Sequence, residues 1–233
     1  MSTQASPLNH LAIIPDGNTR WAKANHKQTF EGYQLGFQRG IELARHARTL
    51  GIHTLTFWGL STENWLNRPK LELEFIVDSA LRLSNEYFAD AQRDNVRIIH
   101  LGRRDRLPKR LLQRLAYIEE ATFTNDAHVM NLALDYGGRD ELVRAAARVA
   151  TSGETPTYEA LEAALDTAGQ PYPNPDFIVR TSGETRLSGF MPWQSAYSEF
   201  YFEPAFFPDF TVDKLETAVA EYQRRQRRFG GGH

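Results

Sequence analysis

The amino-acid sequence predicts an α/β fold with a central, mostly parallel sheet of about six strands flanked by helices. Short apolar segments typical of buried strands alternate with longer segments of helical periodicity. Such alternation favours parallel strands joined by crossover helices, and ligands of these sheets bind at the carboxyl ends of the strands. No stretch rich in glycine, serine and proline divides the chain, so we expect a single domain over residues 1–233.

The predicted elements follow each other along the whole chain. The strand candidates are the apolar segments 10–14, 53–58, 96–101, 128–134, 176–180 and 198–202. The helical candidates are the segments 33–50, 71–92, 107–123, 140–150, 158–168 and 212–228. Polar motifs follow several of the strands directly, so we expect these motifs to meet at one edge of the sheet.

The first strand candidate ends at Pro15 and is followed by Asp16-Gly17-Asn18 and a segment compatible with a helix. This geometry leaves free N–H groups and the positive end of a helix dipole facing an anion. Asp is also a common turn and N-cap residue, which is the structural alternative for Asp16. Because Mg²⁺ typically binds one or two carboxylates together with phosphate oxygens of a substrate, we interpret Asp16 as a metal ligand.

The second strand candidate continues through Gly59 into the polar cluster Ser61-Thr-Glu-Asn64. A cluster of this kind after a strand can simply cap the helix that follows. The alternative is that Ser61 and Asn64 serve a site at the carboxyl edge, together with the turn at Asp16. The helical candidate 71–92 comes next and is apolar enough to form a wall of such a site.

The fifth strand candidate leads into Arg180-Thr-Ser-Gly-Glu-Thr-Arg186-Leu-Ser188. The planar guanidinium group can donate two parallel hydrogen bonds to a phosphate, so this segment predicts a diphosphate site. Surface ion pairs of little energetic value are the alternative for its arginines. Glu199, at the start of the sixth strand candidate, is the acid that we expect to bring a divalent cation to the anion.

Four motifs in a fixed order carry a resemblance to a known family. They are Asp-Gly-Asn-x-Arg-Trp-Ala at 16–22, Leu-Ser-Thr-Glu-Asn-Trp at 60–65, Asn-x-Ala-Leu-x-Tyr-Gly-Gly-Arg at 131–139 and Arg-Thr-Ser-Gly-Glu-x-Arg-Leu-Ser at 180–188. The chain thereby resembles the cis-prenyltransferases of the undecaprenyl diphosphate synthase (isoprenyl transferase) family. The resemblance covers nearly the entire chain and includes Arg228-Phe229-Gly230 near its end.

The resemblance implies a Mg²⁺-dependent enzyme that condenses isopentenyl diphosphate with an allylic diphosphate, by default farnesyl diphosphate. The implied product is a polyprenyl diphosphate, by default undecaprenyl diphosphate, the carrier lipid for cell-wall sugars. The matching catalytic positions are Asp16, Asn18, Ser61 and Asn64, and the metal positions are Asp16 and Glu199. The matching substrate-binding positions are Gly17, Thr19, Arg20, Trp21, Trp65, Arg68, Arg180, Arg186 and Ser188.

The resemblance also implies an apolar tunnel for the growing prenyl chain. Candidates to line it are Phe57, Gly59, Leu60, Val77, Leu81, Met130 and Leu132, and ordinary core packing is the alternative for each. In the family, the motif matching Arg228-Phe229-Gly230 reaches the active site across a dimer interface, which implies a homodimer. Release of an apolar product implies peripheral contact with a membrane.

Three departures from the family pattern concern the allylic substrate. Thr29 stands where the family usually has arginine, and Tyr33 stands where it usually has histidine. Both family residues help to hold the allylic diphosphate, so the preferred allylic primer stays open. Arg68 follows Trp65 with one residue more than the usual spacing, which leaves open whether it reaches the diphosphate.

Composition excludes several classes of function. The chain has no cysteine, which excludes disulfides and thiolate metal sites, and its net charge of -2 gives no signal for nucleic acid. No apolar run approaches the roughly 20 residues that span a bilayer, and we expect a cytoplasmic protein.

Other functions remain as alternatives to long-chain synthesis. A short-chain or branched cis-prenyl product stays possible. A non-catalytic subunit of a heteromeric prenyltransferase generally lacks Asp-Gly-Asn, which stands here at 16–18. A trans-prenyltransferase would carry Asp-Asp-x-x-Asp, and a dinucleotide-binding oxidoreductase would carry Gly-x-Gly-x-x-Gly after the first strand, but the sequence has neither motif at the required place.

Overall fold

The structure, a computed structural model, describes residues 7–225. Its strands are β1 His10–Ile14, β2 Thr54–Ser61, β3 Val96–Leu101, β4 His128–Tyr136, β5 Phe177–Arg180 and β6 Glu199–Phe202. They form one sheet in the order β3-β4-β2-β1-β5-β6, and each pair of neighbours is parallel. The predicted α/β fold is confirmed, with all of the predicted strands.

Helices connect the strands and cover the sheet. They are α1 Asn18–Ala24, α2 Thr29–Thr49, α3 Thr62–Asn67, α4 Lys70–Arg93, α5 Lys109–Ala121, α6 Gly138–Ser152, α7 Tyr158–Ala163 and α8 Val212–Arg224. No helix within residues 7–225 combines the length and the apolar character needed to cross a membrane.

Several boundaries differ from the prediction. Helix α2 begins at Thr29, ahead of the predicted start at 33, because Gln28 and Glu31 form a reciprocal capping box. Strand β2 continues past 58 to Ser61 through a bulge between Trp58 and Leu60, so it delivers Ser61 to the edge of the sheet. Helix α7 ends at Ala163 instead of 168.

Side chains of β1 alternate between two apolar layers. Leu11 and Ile13 pack into a layer with residues of α2, α4, α5 and α8, whereas Ala12 and Ile14 pack with Phe190 on the other face. Successive side chains of a strand point to opposite faces, and burial of both faces explains why β1 reads as an unbroken apolar run.

His10 lies at the start of β1 and is fully buried. Its Nε2 atom is 2.8 Å from the Thr56 hydroxyl oxygen, and burial lowers the pKa of His10 from 6.5 to about 4. The unfolded chain therefore binds a proton at a higher pH than the folded chain. The contribution of neutral His10 to the free energy of unfolding is complete above about pH 6.5, and it is lost as the pH falls towards 4.

We expect the free energy of unfolding to fall by about 2 to 3 kcal/mol on this account between about pH 7 and pH 4.5. Urea unfolding of the wild-type chain and of His10→Gln across this range measures it, because the variant should lack that part of the pH dependence. Identical slopes for the two proteins would contradict the assignment to His10.

Candidate active site

A cavity of about 560 Å³ runs from the carboxyl edge of the sheet into the space between the sheet and helices α2 and α4. Its polar end contains Asp16, Asn18, Ser61, Glu63, Asn64, Arg68, Arg180 and Ser188. Its remaining walls are largely apolar and include Ile41, Ala44, Phe57, Ile76, Leu83, Tyr87, Ile98, Ile118, Met130, Leu132 and Phe207. The volume lies in the range typical of small-molecule sites, roughly 300 to 1,000 Å³.

The register of two neighbouring strands brings Asp16 and Arg180 together. Ile14, the last residue of β1, pairs with Arg180, the last residue of β5, so Asp16 lies just beyond both strand ends. Arg180 Nη2 donates to Asp16 Oδ2 at 2.9 Å, and Arg20 Nη2 lies 3.1 Å from Asp16 Oδ1. The carboxylate is thus held between two guanidinium groups.

Arg180 is the most buried of these charges, with 6 % of its side chain exposed. Its Nη1 atom donates to Ser188 Oγ at 2.9 Å and to the backbone oxygen of Arg186. The 180–188 segment therefore folds back over its own first arginine. Ser188 lines the cavity, whereas the Arg186 side chain is 63 % exposed and pairs with Glu184.

Gly17 allows the turn after Asp16 to pack tightly against the neighbouring loops. Its φ of 105° lies in the left-handed region, and a Cβ there would lie 2.8 Å from both Phe206 Cδ1 and Ser182 Oγ. A side chain at this position would strain the backbone and displace its neighbours. Gly17 therefore holds Asp16 against β5 instead of lining the cavity.

Ser61 both lines the cavity and caps a helix. Its hydroxyl oxygen accepts a hydrogen bond from the Asn64 backbone N–H at 3.0 Å, at the N-terminus of α3. The capping interpretation of this cluster is therefore confirmed for Ser61. The same bond fixes the orientation of Ser61 at the polar end, and Asn64 lines the cavity beside it.

Arg68 lines the cavity and is the C-cap residue that ends helix α3, so the longer spacing after Trp65 does not keep it from the site. Tyr33 OH donates to Glu72 Oε1 at 2.6 Å, and Arg68 Nη1 contacts both groups. Burial, and then the hydrogen bond to Glu72, raises the pKa of Tyr33. The phenol therefore stays neutral and holds Arg68 and Glu72 together. Thr29, by contrast, is exposed at the start of α2.

Five of the eight buried side-chain N and O atoms that lack a hydrogen-bond partner within residues 7–225 lie around the polar end. They are Asn18 Oδ1, Thr62 Oγ1, Arg68 Nε, Arg180 Nε and Ser182 Oγ. An unpaired buried polar atom costs about 1 to 3 kcal/mol, so a concentration of them at one place indicates a binding site.

Several predicted substrate-binding residues lie outside the cavity wall. Trp21 is 9 % exposed, and its indole N–H donates to Asp209 Oδ1 at 2.9 Å. Trp65 packs against the apolar clusters around Leu60 and Val77. Both tryptophans hold loops and helices together. Thr19 donates to Tyr33 OH at 3.4 Å, and Arg20 pairs with Asp16 and Glu184. These two residues therefore contact residues of the cavity wall without lining the cavity themselves.

Glu199 lies at the wrong end of the sheet to share a metal ion with Asp16 of the same chain. It pairs with Phe177, the first residue of β5, whereas Asp16 lies beyond the last residue of that strand. The length of β5 therefore lies between the two positions, and it amounts to roughly 10 Å or more at about 3.3 Å per residue. The Glu199 carboxylate instead contacts Arg225 Nη1 at 3.0 Å. Within one chain, Asp16 and Glu199 are therefore too far apart to bind the same metal ion, which corrects the prediction.

Five of the predicted tunnel residues line the cavity, namely Phe57, Gly59, Leu60, Met130 and Leu132. The prediction is wrong for Val77 and Leu81, which pack towards α5 with Leu107, Leu111 and Leu115. Helix α4 presents an adjacent face to the cavity, formed by Ile76, Ala80, Leu83, Ser84 and Tyr87. Two faces of α4 are apolar because it contacts both the cavity and α5.

Apart from Tyr33, sequence reasoning missed the residues of α2 that line the cavity. Gly36, Phe37 and Gly40 line the cavity, and Gly32 packs against α1. The sequence does contain a signal for this part of the site. Gly32, Gly36 and Gly40 are spaced four residues apart, which places them on one face of a helix. The motif 228–230 lies outside the described residues.

Comparison with known proteins points to one family. The family model described as undecaprenyl diphosphate synthase matches residues 14–230. An isoprenyl transferase of Streptococcus thermophilus (strain CNRZ 1066) is 42% identical over 232 residues, covering 96% of this chain and 93% of the relative. An isoprenyl transferase of Lactococcus lactis subsp. lactis (strain IL1403) is 38% identical over 227 residues, covering 95% and 93%.

Two solved structures share the fold. Lavandulyl diphosphate synthase from Lavandula x intermedia, in complex with dimethylallyl diphosphate, matches with a TM-score of 0.92 and 34% identity over 96% of this chain and 98% of that one. A protein from Campylobacter jejuni described as a probable undecaprenyl diphosphate synthase matches with a TM-score of 0.81 and 32% identity over 97% and 100%.

Proposed function

The chain belongs to the undecaprenyl diphosphate synthase family and is a prenyltransferase, and from this premise we propose that it is a Mg²⁺-dependent cis-prenyltransferase. Its substrates are isopentenyl diphosphate and an allylic diphosphate. The observation that carries the proposal is one cavity with charged groups at its mouth and apolar walls beyond them. This division matches a substrate with a diphosphate head and a hydrocarbon tail.

The two diphosphates bind on either side of Asp16. Isopentenyl diphosphate binds Arg180 and Ser188, with Arg186 at the exposed rim. The allylic diphosphate binds Arg68 and the turn after β1. This assignment is supported by the position of Arg68 and Arg180 in the cavity wall and by the unpaired, buried Nε atom of each. Arginine suits both sites because its planar fork matches phosphate oxygens.

Asp16 fits the role of a Mg²⁺ ligand. Its side chain is 31% exposed at the polar end, and its two oxygens face arginines that a diphosphate can engage in its place. Within residues 7–225, no group of three or more acidic, histidine or cysteine side chains is arranged to hold a metal alone. One carboxylate with phosphate oxygens of the substrate is the usual pattern for Mg²⁺, which when bound stabilises negative charge on the leaving diphosphate.

The condensation exchanges one bond for another. The allylic carbon–oxygen bond breaks, and its electron pair leaves with diphosphate. The double bond of isopentenyl diphosphate attacks the allylic carbon, which leaves a cation on its other alkene carbon, and the carbon next to that cation then loses a proton to a diphosphate oxygen to form the new cis double bond. Asn18, Ser61 and Asn64 position the reacting ends and assist proton removal. Arg180 and Arg68 hold the diphosphates apart, which orients the two carbons for attack.

The apolar walls receive the lengthening chain. Each five-carbon unit that enters the cavity gains up to about 4 kcal/mol, at roughly 0.8 kcal/mol per buried CH₂. Such binding favours products of several units and makes release slow. We therefore propose long-chain synthesis from farnesyl diphosphate, with undecaprenyl diphosphate as the product and peripheral membrane contact at release.

A short-chain or branched product is the second candidate. Two observations favour it: the match to lavandulyl diphosphate synthase at a TM-score of 0.92, and the Tyr33–Glu72 contact, which engages Arg68 beside the allylic site. Incubation with isopentenyl diphosphate, Mg²⁺ and either dimethylallyl, geranyl or farnesyl diphosphate separates the candidates. A ladder reaching undecaprenyl length supports the first, and one short product from dimethylallyl diphosphate supports the second.

Tyr33→Phe tests the allylic side of the site. The variant keeps the ring but loses the hydroxyl that contacts Glu72 and Arg68. We expect the KM for the allylic diphosphate to rise about 3-fold to 10-fold, because the hydroxyl acts on the substrate only through Arg68 and so contributes less than the roughly 1.5 to 3 kcal/mol of a direct hydrogen bond to a charged group. The KM for isopentenyl diphosphate should stay unchanged. Steady-state kinetics with each substrate varied in turn measures both constants.

Tyr158→Phe is the matched control, because this tyrosine is 75% exposed and does not line the cavity. Equal changes in both KM values for Tyr33→Phe would argue against an allylic site at Arg68.

A further inference from the structure

Gly36 and Gly40 occupy equivalent places on helix α2, and both line the cavity. Their surroundings differ. A Cβ on Gly36 would lie 2.1 Å from Asn18 Oδ1 and 3.0 Å from Asn18 Cγ. A Cβ on Gly40 would meet no heavy atom within 4 Å. Real Cβ contacts are not that short, so the amide of Asn18 occupies the notch that the missing side chain of Gly36 leaves.

The Asn18 amide has few other restraints. Asn18 Nδ2 donates a long hydrogen bond of 3.3 Å to the Pro15 backbone oxygen. Asn18 Oδ1 is buried and has no hydrogen-bond partner among the described residues. A buried acceptor without a partner is unfavourable, so hydrogen bonding does not account for its position. The notch on α2 does.

We propose that Gly36 is a positioning residue: it fixes the side-chain amide of Asn18 at the polar end of the cavity. This inference rests on the proposed function for its effect on catalysis. The steric relation between Gly36 and Asn18 does not depend on that function.

The position of Gly36 in the helix supports the inference. It lies in the interior of α2, where glycine is destabilising relative to alanine because of its backbone entropy. Gly32 adds to the close approach of α1 and α2, since a Cβ there would lie 2.3 Å from the Asn18 backbone oxygen. The missing side chain of Gly32 thus leaves room for the backbone of Asn18, and that of Gly36 leaves room for its amide.

The stability test is a double-mutant cycle with Gly36→Ala and Asn18→Ala, measured as thermal unfolding midpoints. In the wild-type background, the new methyl group clashes with the amide, so we expect no rise or a fall in the midpoint. In the Asn18→Ala background the clash is gone, and improved helix propensity should raise the midpoint by about 2 to 4 °C. Gly40→Ala is the matched comparison, and its shift should be the same in both backgrounds.

The activity test uses the same six proteins, namely the four of the cycle and Gly40→Ala in both backgrounds. We expect Gly36→Ala to lower kcat at least about 10-fold through misplacement of Asn18. Adding Gly36→Ala to Asn18→Ala should lower kcat no further, because residues that act as one unit are not additive. The effect of Gly40→Ala, whatever its size, should carry over unchanged into the Asn18→Ala background.

The possible outcomes distinguish a failure of the proposed role of Gly36 from a failure of the proposed function. Equal shifts from Gly36→Ala in both backgrounds, in midpoint and in kcat, would overturn the role of Gly36. Absence of product from the wild-type chain would count against the proposed function, and the coupling of the unfolding midpoints would still decide the inference.

Discussion

Asp16→Asn is expected to lower kcat/KM at least about 100-fold, the effect typical of losing a charged group that stabilises a transition state. The substitution keeps the size and the hydrogen-bonding oxygen but removes the negative charge. That charge lies between Arg180 and Arg20, 2.9 Å and 3.1 Å away, at the polar end of the cavity. On the proposal that Asp16 would hold Mg²⁺, the variant would lack the carboxylate that binds the ion.

Initial rates over a range of Mg²⁺ concentrations measure this effect, and the variant should need more Mg²⁺ for half-maximal activity. Asp126→Asn is the matched control, because Asp126 is near the amino end of β4 and contacts Asn95. A kcat/KM for Asp16→Asn within about 3-fold of wild type would show that the carboxylate has no part in the reaction.

Arg180→Lys should raise the KM for isopentenyl diphosphate about 10-fold to 100-fold, as a charge-assisted hydrogen bond contributes about 1.5 to 3 kcal/mol. Arg180 donates to Asp16, Ser188 and the Arg186 backbone at once. A lysine ammonium keeps the charge but cannot span these acceptors and a phosphate in one plane. The loss should appear when isopentenyl diphosphate is varied at a saturating concentration of the allylic substrate.

Arg104→Lys provides the comparison, because Arg104 makes a two-pronged contact with Glu119 on the surface, away from the cavity. An Arg180→Lys variant whose KM changes for the allylic substrate alone would reverse the assignment of the two diphosphates.

The sequence predicted the fold and the edge of the sheet at which the residues of the candidate site meet. Buried strands of a parallel sheet are short apolar runs, and polar residues such as Asp16 and Ser61 follow them where such sheets bind ligands. This relation between strand ends and ligands is local, so a single sequence contains it.

The misplaced residues have two different causes, one visible in the sequence and one set by packing. Glu199 was assigned to the site from its motif, although it stands at the start of β6 and therefore at the amino end. Val77 and Leu81 are apolar like their neighbours Ile76 and Ala80, but which face of α4 meets the cavity is set by contacts with α5. Helical periodicity finds an apolar face and does not say what covers it.

Gly36 and Tyr33 show a third case, in which a pattern was visible but its meaning required coordinates. The glycine spacing in α2 indicated a close approach without naming its partner, which is Asn18. Tyr33 was recognised as a replacement for histidine. Its contacts show that it joins Glu72 and Arg68, so the substitution changes how the arginine is held.

The most direct test of the account is the structure of the product that the full chain forms from farnesyl diphosphate, isopentenyl diphosphate and Mg²⁺. Mass spectrometry should show growth in five-carbon steps, NMR should show that each new double bond is cis, and EDTA should abolish the reaction. New double bonds in the trans configuration, or no consumption of isopentenyl diphosphate with farnesyl, geranyl or dimethylallyl diphosphate, would contradict the proposal that this cavity carries out cis-prenyl transfer.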